Sequence, residues 1–103
     1  MNVENRQSSI HGPGVFARKL IEEEQWQYIY GMLIPKPSMY GFENENETWW
    51  EPFPPFRYTN HSNDPNCEVF RCEDGTTYIE ALRDIEPDEE LTIDYGYDPA
   101  EEA

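Results

Sequence analysis

Residues 57–67 read Arg57-Tyr58-Thr59-Asn60-His61-Ser62-Asn63-Asp64-Pro65-Asn66-Cys67, and the rest of the chain is organised around them. The Asn-His-Ser centre, the Asp-Pro step and the second Asn are too polar for an interior strand, yet aromatic residues crowd in directly before them. Asn60, His61 and Asn66 supply amide donors, carbonyl acceptors and an imidazole, which is equipment for holding a polar ligand against backbone. A capped turn closed by Asx-type hydrogen bonds accounts for the same residues. The neighbouring segments must decide between the two.

Downstream, Asp74-Gly75 lies between two β-type runs and predicts a two-residue type I′ turn, because both central positions need positive φ. That loop pairs Glu73 with Thr76, Cys72 with Thr77, Arg71 with Tyr78 and Phe70 with Ile79. Period-2 alternation then places Phe70, Cys72, Ile79 and Ala81 on one face, with Arg71, Glu73, Tyr78 and Glu80 on the other and Cys67 outside the ladder. Arg83 to Glu90 reads as an acidic turn punctuated by Pro87. In Leu91-Thr92-Ile93-Asp94-Tyr95-Gly96-Tyr97, the residues Leu91, Ile93 and Tyr95 alternate as in a half-buried strand that stops at Gly96.

Upstream, Pro35 to Phe56 carries Pro35, Pro37, Pro52, Pro54 and Pro55 among Tyr40, Phe42, Trp49, Trp50, Phe53 and Phe56. The prolines argue against a long helix or a central strand. The segment is expected to be an irregular excursion whose aromatic rings fill the core or line a groove, Trp49 and Trp50 packing rather than reacting. Gln27 to Ile34 is rich in β-formers and reads as one strand despite Gly31, with a solvated turn at Glu22-Glu23-Glu24 before it. Ser8-Ser9-Ile10-His11-Gly12-Pro13-Gly14 is turn-rich and feeds the β-favourable Val15-Phe16-Ala17. Its glycines either let backbone approach a bound molecule or simply turn.

At 103 residues there is room for one small, β-rich domain. Twenty-two acidic residues against seven basic ones leave a formal net charge of −15, which disfavours direct contact with a nucleic-acid backbone. A basic protein or peptide is the natural complement, although the same charge also serves solubility. Two cysteines are too few for a disulfide framework or a zinc set, so no metal is expected. With no apolar leader and no apolar run of membrane-spanning length, the expectation is a soluble intracellular protein that contacts no membrane, located in the cytoplasm, or in the nucleus of a eukaryote.

Three stretches together resemble a known family. His11-Gly12-Pro13-Gly14-Val15-Phe16-Ala17, Arg57-Tyr58-Thr59-Asn60-His61-Ser62 and Glu90-Leu91-Thr92-Ile93-Asp94-Tyr95-Gly96-Tyr97 resemble, in that order, the three signatures of SET-domain protein lysine methyltransferases. Ala81-Leu82-Arg83-Asp84-Ile85 precedes the last of them as the family pattern has it. The resemblance implies a mostly β fold of small curved antiparallel sheets, with the Asn-His-Ser segment threaded through a loop that the C-terminal Tyr-bearing segment closes in a pseudo-knot, an exception to the rule against threading. One SET domain over 1–103 would then comprise an N-terminal part at 8–34, a short Pro/aromatic insert at 35–56, a C-terminal part at 57–98 and an acidic tail at 99–103.

The resemblance also implies S-adenosylmethionine as cofactor and transfer of its methyl group to a lysine of a basic, histone-like or otherwise Lys-rich protein. By the matching positions, His11, Gly12, Pro13, Gly14, Asn60, His61 and Tyr95 would meet the cofactor. Tyr95 would be the active-site tyrosine. Tyr97, Ile93 and Tyr58 would border the lysine, with Tyr28 a weaker candidate near the cofactor. The chain departs from many relatives in having Asn63 where they carry a cysteine directly after Asn-His-Ser, and no cysteine after Tyr97. A zinc-bound lid over the lysine is therefore expected to be missing. Either the insert's aromatics cover the site, or a second subunit of a homodimer does, or the site is open and slow; the alternative to an enzyme is a SET-like acidic module that binds a basic protein without turnover.

Overall fold

The computed structural model describes residues 1–44 and 48–96. Within them, ten short strands form three small sheets: β1 (Val3–Gln7), β2 (Pro13–Ala17), β3 (Trp26–Ile29), β4 (Gly31–Ile34), β5 (Phe42–Glu43), β6 (Trp49–Pro52), β7 (Asn60–His61), β8 (Cys67–Arg71), β9 (Thr77–Ala81) and β10 (Glu90–Ile93). A 3-10 turn, Phe56–Tyr58, precedes β7. The sheet orders are β1-β2-β10-β7, β3-β9-β8 and β4-β6-β5. The pairings are antiparallel except that of β7 with β10, which lays Asn60 beside Thr92 and His61 beside Ile93 in parallel. The mostly β architecture of small antiparallel sheets is therefore as the resemblance implied. The Tyr-bearing segment runs beyond Gly96, outside the described residues, and with it the closure of the thread.

Val15, Ile21, Cys67, Ile79, Ile85 and Leu91 are fully buried where the first two sheets meet. Burying an aliphatic side chain of this size stabilises by about 1.5–3 kcal/mol relative to leaving it in water, so this handful carries much of the fold. Ile21 and Ile85 also exchange backbone hydrogen bonds of 2.9 and 2.8 Å, tying the turn after β2 to the acidic turn before β10. Among the described residues no helix is long and apolar enough to cross a membrane.

Five local expectations are corrected. The hairpin pairs Phe70 with Tyr78 and Val69 with Ile79, one residue out from the two-residue-loop register. The loop is Glu73-Asp74-Gly75: Cys72 N–H donates to Thr76 O, Gly75 takes φ +88°, and Asp74 Oδ1 accepts Thr76 N–H. That is the three-residue hairpin with glycine in the left-handed position. A slip of one residue turns every side chain of one strand over, so Cys67 and Val69 join Ile79 and Ala81 inside while Phe70 lies outside and Cys72 is exposed. Far from lying outside the ladder, Cys67 pairs with Ala81.

The second correction splits Gln27–Ile34 at Tyr30 into β3 and β4, which belong to different sheets. Third, the Pro-rich excursion contains β6, the middle strand of β4-β6-β5. Pro52 stands at its last position, where a missing N–H breaks nothing further along, and the other prolines lie outside it. Fourth, Asn60-His61, read as a polar turn or ligand loop and too polar for an interior strand, forms a two-residue strand at the edge of its sheet, with Asn60 buried because other groups satisfy its amide. Fifth, β10 ends at Ile93 and is buried on both faces: Leu91, Thr92 and Ile93 are all covered, and Tyr95 follows outside the strand. The N-terminal β1 is not legible in the sequence because Val-Glu-Asn-Arg-Gln has no apolar alternation; it is an edge strand held by backbone pairing to β2.

Candidate active site

The carboxylate of Glu90, at the start of β10, is the point where the three signatures meet. Its Oε1 accepts a 2.7 Å hydrogen bond from Ser8 Oγ, and its Oε2 accepts one of 2.8 Å from Asn60 Nδ2. Gly14 lies against the same group, and any Cβ at that position would run into it. Glycine there admits the carboxylate rather than a ligand. Asn60 spends its second N–H on His11 O at 3.0 Å. Its amide donors are therefore committed inside the protein, and its Oδ1 is the group left for an outside donor.

His61 is similarly engaged. Nδ1 accepts the Tyr95 backbone N–H at 3.0 Å and Nε2 pairs with Asn63 Oδ1 at 2.7 Å, the tautomer with its proton on Nε2 satisfying both contacts. With both ring nitrogens used, His61 positions Tyr95 and the loop, and only its ring face and backbone remain for a ligand. Asn66 acts inward too. It is buried, donates to Glu90 O at 2.8 Å and to Glu89 Oε2 at 3.1 Å, and accepts Thr92 N–H at 2.8 Å. It clamps the Asn-His-Ser loop to β10 and is not part of a ligand surface. Burial works against the ionised form of Glu89, but hydrogen bonds from Arg83, the Glu86 N–H and Asn66 outweigh it and hold its carboxyl below the usual value.

Tyr95 emerges beside this knot. Its hydroxyl donates to Thr59 O at 2.6 Å, and its ring centroid is 5.1 Å from that of His61. The proximity of Tyr95 to the Asn-His-Ser segment, which no spacing in the sequence could establish, is thus a tertiary fact. A cavity of about 650 Å³ opens here, lined by Tyr95, Ile93, Thr59 and Asp94 together with Phe42, Trp50, Val69 and Arg71. Excursion aromatics therefore line a cavity. Arg57 in its wall is paired with Glu51 at 3.0 Å, and the Arg71 guanidinium lies 5.1 Å from the Trp50 ring centre and 5.6 Å from that of Phe42. Burial draws the Arg71 pKa down from its ordinary value.

Not every candidate arrives at this place. Tyr58 packs edge-on against Tyr40 at 5.4 Å while its neighbours Arg57 and Thr59 border the cavity. Tyr28 is on the outer face of β3, against Trp26 and Tyr30, and belongs to a different surface. Tyr97 lies outside the described residues. His11 contributes its carbonyl, and Gly12 O accepts Ser8 N–H at 2.7 Å, so the first signature builds a closed turn leaning on Asn60. Ser8 carries no signal in the sequence that would mark it as a site residue, and Glu90 and Thr59, although they stand within signatures, carry none for the roles they take. A glutamate opening a strand looks like any solvated carboxylate until its partners, Ser8 and Asn60, are known. Among the described residues no group of three or more His, Cys, Asp or Glu side chains could hold a metal ion.

Comparison with known proteins agrees with this geometry. The SET domain family profile matches residues 12–96, and the chain belongs to that family. A Plasmodium falciparum (isolate 3D7) protein, provisionally named histone-lysine N-methyltransferase 1, is 32% identical over 116 residues, covering 89% of this chain and 2% of its own. The chain thus spans a very small part of that relative. Among solved structures, a P. falciparum protein provisionally titled a histone methyltransferase superposes with a TM-score of 0.74 at 23% identity over 96% of both chains. A humanized mutant of the Chaetomium thermophilum Polycomb Repressive Complex 2, bound to the inhibitor GSK126, gives a TM-score of 0.74 at 26% identity over 91% of this chain and 15% of that one.

Proposed function

We propose that the protein is an S-adenosylmethionine-dependent methyltransferase acting on lysine side chains of a basic protein. The observation that carries the reading is the convergence of all three signatures on one place, with Tyr95 held between His61 and Thr59 at the mouth of an aromatic cavity. The names of the P. falciparum relatives point the same way.

The residues present fit the cofactor. Asn60 Oδ1, left over after its amide has been spent, is an acceptor suited to an ammonium group, and the ring of His61 offers a flat surface. S-adenosylmethionine, when bound, supplies an activated methyl carbon. The chain's own task is alignment, because an in-line displacement gains most from holding the reacting atoms at the right distance and angle. Aromatic walls provide that while favouring cationic groups. The lysine must also arrive neutral: a lysine in water titrates at ~10.4, so deprotonation at pH 7 costs about 4.6 kcal/mol. Withdrawal from water into a cavity lined by Ile93, Val69, Trp50 and Tyr95 lowers that cost, since burial disfavours the ammonium form.

Isothermal titration with S-adenosylmethionine, followed by mass spectrometry of a lysine-containing peptide, tests the proposal. Cofactor binding with mass increments of one or more methyl groups is expected. Absence of cofactor binding would leave a binding module in its place.

A further inference from the structure

The sheet β3-β9-β8 turns one face to the core and cavity and the other to solvent. On the solvent face the strand register sets two rows: Trp26, Glu80 and Glu68 stand side by side across the three strands, and Tyr28, Tyr78 and Phe70 form the next row. The rings touch in a continuous series, Phe70 stacked on Tyr78 at 4.9 Å, Tyr78 against Trp26 at 5.8 Å, and Trp26 edge-on to Tyr28 at 4.9 Å. Trp26 and Tyr28 remain 52% and 44% exposed. Glu68 and Glu80 face each other directly across the ladder, an arrangement that destabilises a sheet. Among the described residues neither carboxylate has a cationic partner.

We propose that this face docks a Lys- or Arg-bearing segment of a basic polypeptide, with a cationic head group set between Glu68 and Glu80 and its stem lying along the rings of Trp26 and Tyr78. A cation there relieves the like-charge pair, and aromatic faces attract it further. A second copy of this chain is the wrong occupant. Face-to-face contact would bring four carboxylates together between two bodies that each carry a net charge of −15. Nucleic acid meets the same repulsion. Of the six residues only Glu68 also borders the cavity, so a chain seated on this face leaves Tyr95 accessible. The docking needs no methyl transfer and is tested without cofactor.

The experiment titrates the full chain at low salt with a short peptide of alternating lysine and glycine, and with a counterpart in which glutamine replaces each lysine, following affinity and backbone amide shifts. The variants are Glu68→Gln/Glu80→Gln, the single change Trp26→Ala, and a control, Glu43→Gln/Glu86→Gln, that removes the same charge from other exposed positions. Loss of about tenfold in lysine-peptide affinity in each face variant, against less than about twofold in the control, is expected. Amide shifts should centre on β3, β8 and β9. Equal losses in the two double variants would reduce the effect to bulk charge and overturn the proposal. So would equal binding of the glutamine peptide, shifts confined to the cavity wall, or self-association of the chain through Trp26 that the peptide does not displace.

Discussion

Asn60 and Glu90, 30 positions apart, are joined by a 2.8 Å hydrogen bond that buries the first and fixes the second. A carboxylate partly withdrawn from water needs donors to offset its desolvation, and half-buried Glu90 has found them in Asn60, from the second signature, and in Ser8, just ahead of the first. Removing one donor should therefore cost more than an ordinary surface change. Asn60→Ala is expected to lose about 1–3 kcal/mol of stability, because Glu90 is left short of a partner. The double change Asn60→Ala/Glu90→Ala should cost clearly less than the sum of the two single ones, as groups in one network are coupled. Urea denaturation of the four proteins in the cycle measures this; simple additivity would show the bond to be incidental.

Tyr95→Phe keeps the ring against His61 and deletes the hydroxyl that donates to Thr59 O at 2.6 Å. Stability should fall by only about 1 kcal/mol, the net worth of one hydrogen bond. Methyl transfer, followed by peptide mass spectrometry, should fall by about 10²–10³-fold if the hydroxyl supports the transition state. Full activity in this variant would remove Tyr95 from the site.

Product multiplicity follows from the cavity wall. If the proposed methyl transfer to lysine takes place in this cavity, the amine meets Ile93 and Val69, which line it and have no hydroxyl to restrain a nitrogen. A methylated nitrogen is then free to turn and present its lone pair again, so di- and trimethyl-lysine are the expected products. Ile93→Tyr should shift products toward monomethyl-lysine, at an overpacking cost of about 1–3 kcal/mol because Ile93 is buried. Wild-type protein that stops at one methyl under excess cofactor would contradict this.

The two thiols should behave oppositely. Burial pushes the Cys67 thiol from the ordinary 9.0 up to about 12, whereas Cys72 is exposed at the hairpin end. A chromogenic disulfide reagent at neutral pH should titrate one thiol in native protein and both in denaturant. Since the folded-state pKa is the higher one, the contribution of Cys67 to stability is complete below about pH 9 and is lost as pH rises toward 12. Cys67→Ala should flatten that alkaline decline. Prompt reaction of both native thiols would show the core to be more open than the packing around Ala81 implies.

If the net charge of −15 steers a basic substrate, peptide association should weaken as ionic strength rises beyond ~0.15 M, where the screening length is about 8 Å. A charge retained for solubility alone would leave affinity flat across a salt series. Stopped-flow association rates across that series separate the two.

The sequence by itself determined the family, through three signatures in order, and with it the mostly β class and the identity of Asn60, His61 and Tyr95 as the residues to watch. It determined them because each signature is local: a turn, a polar loop and a strand end are legible over a few neighbouring residues. Only the tertiary structure decided what those residues do for one another. Gly14 makes room for Glu90, Asn60 commits its amide inward, His61 orients Tyr95, and Asn66 clamps a loop, all through contacts between segments far apart in the chain. The register of β8 against β9 likewise depended on whether the turn held two residues or three. A period-2 pattern is satisfied by either until burial selects the face that puts Cys67 and Val69 inside and the rings of Phe70 and Tyr78 out.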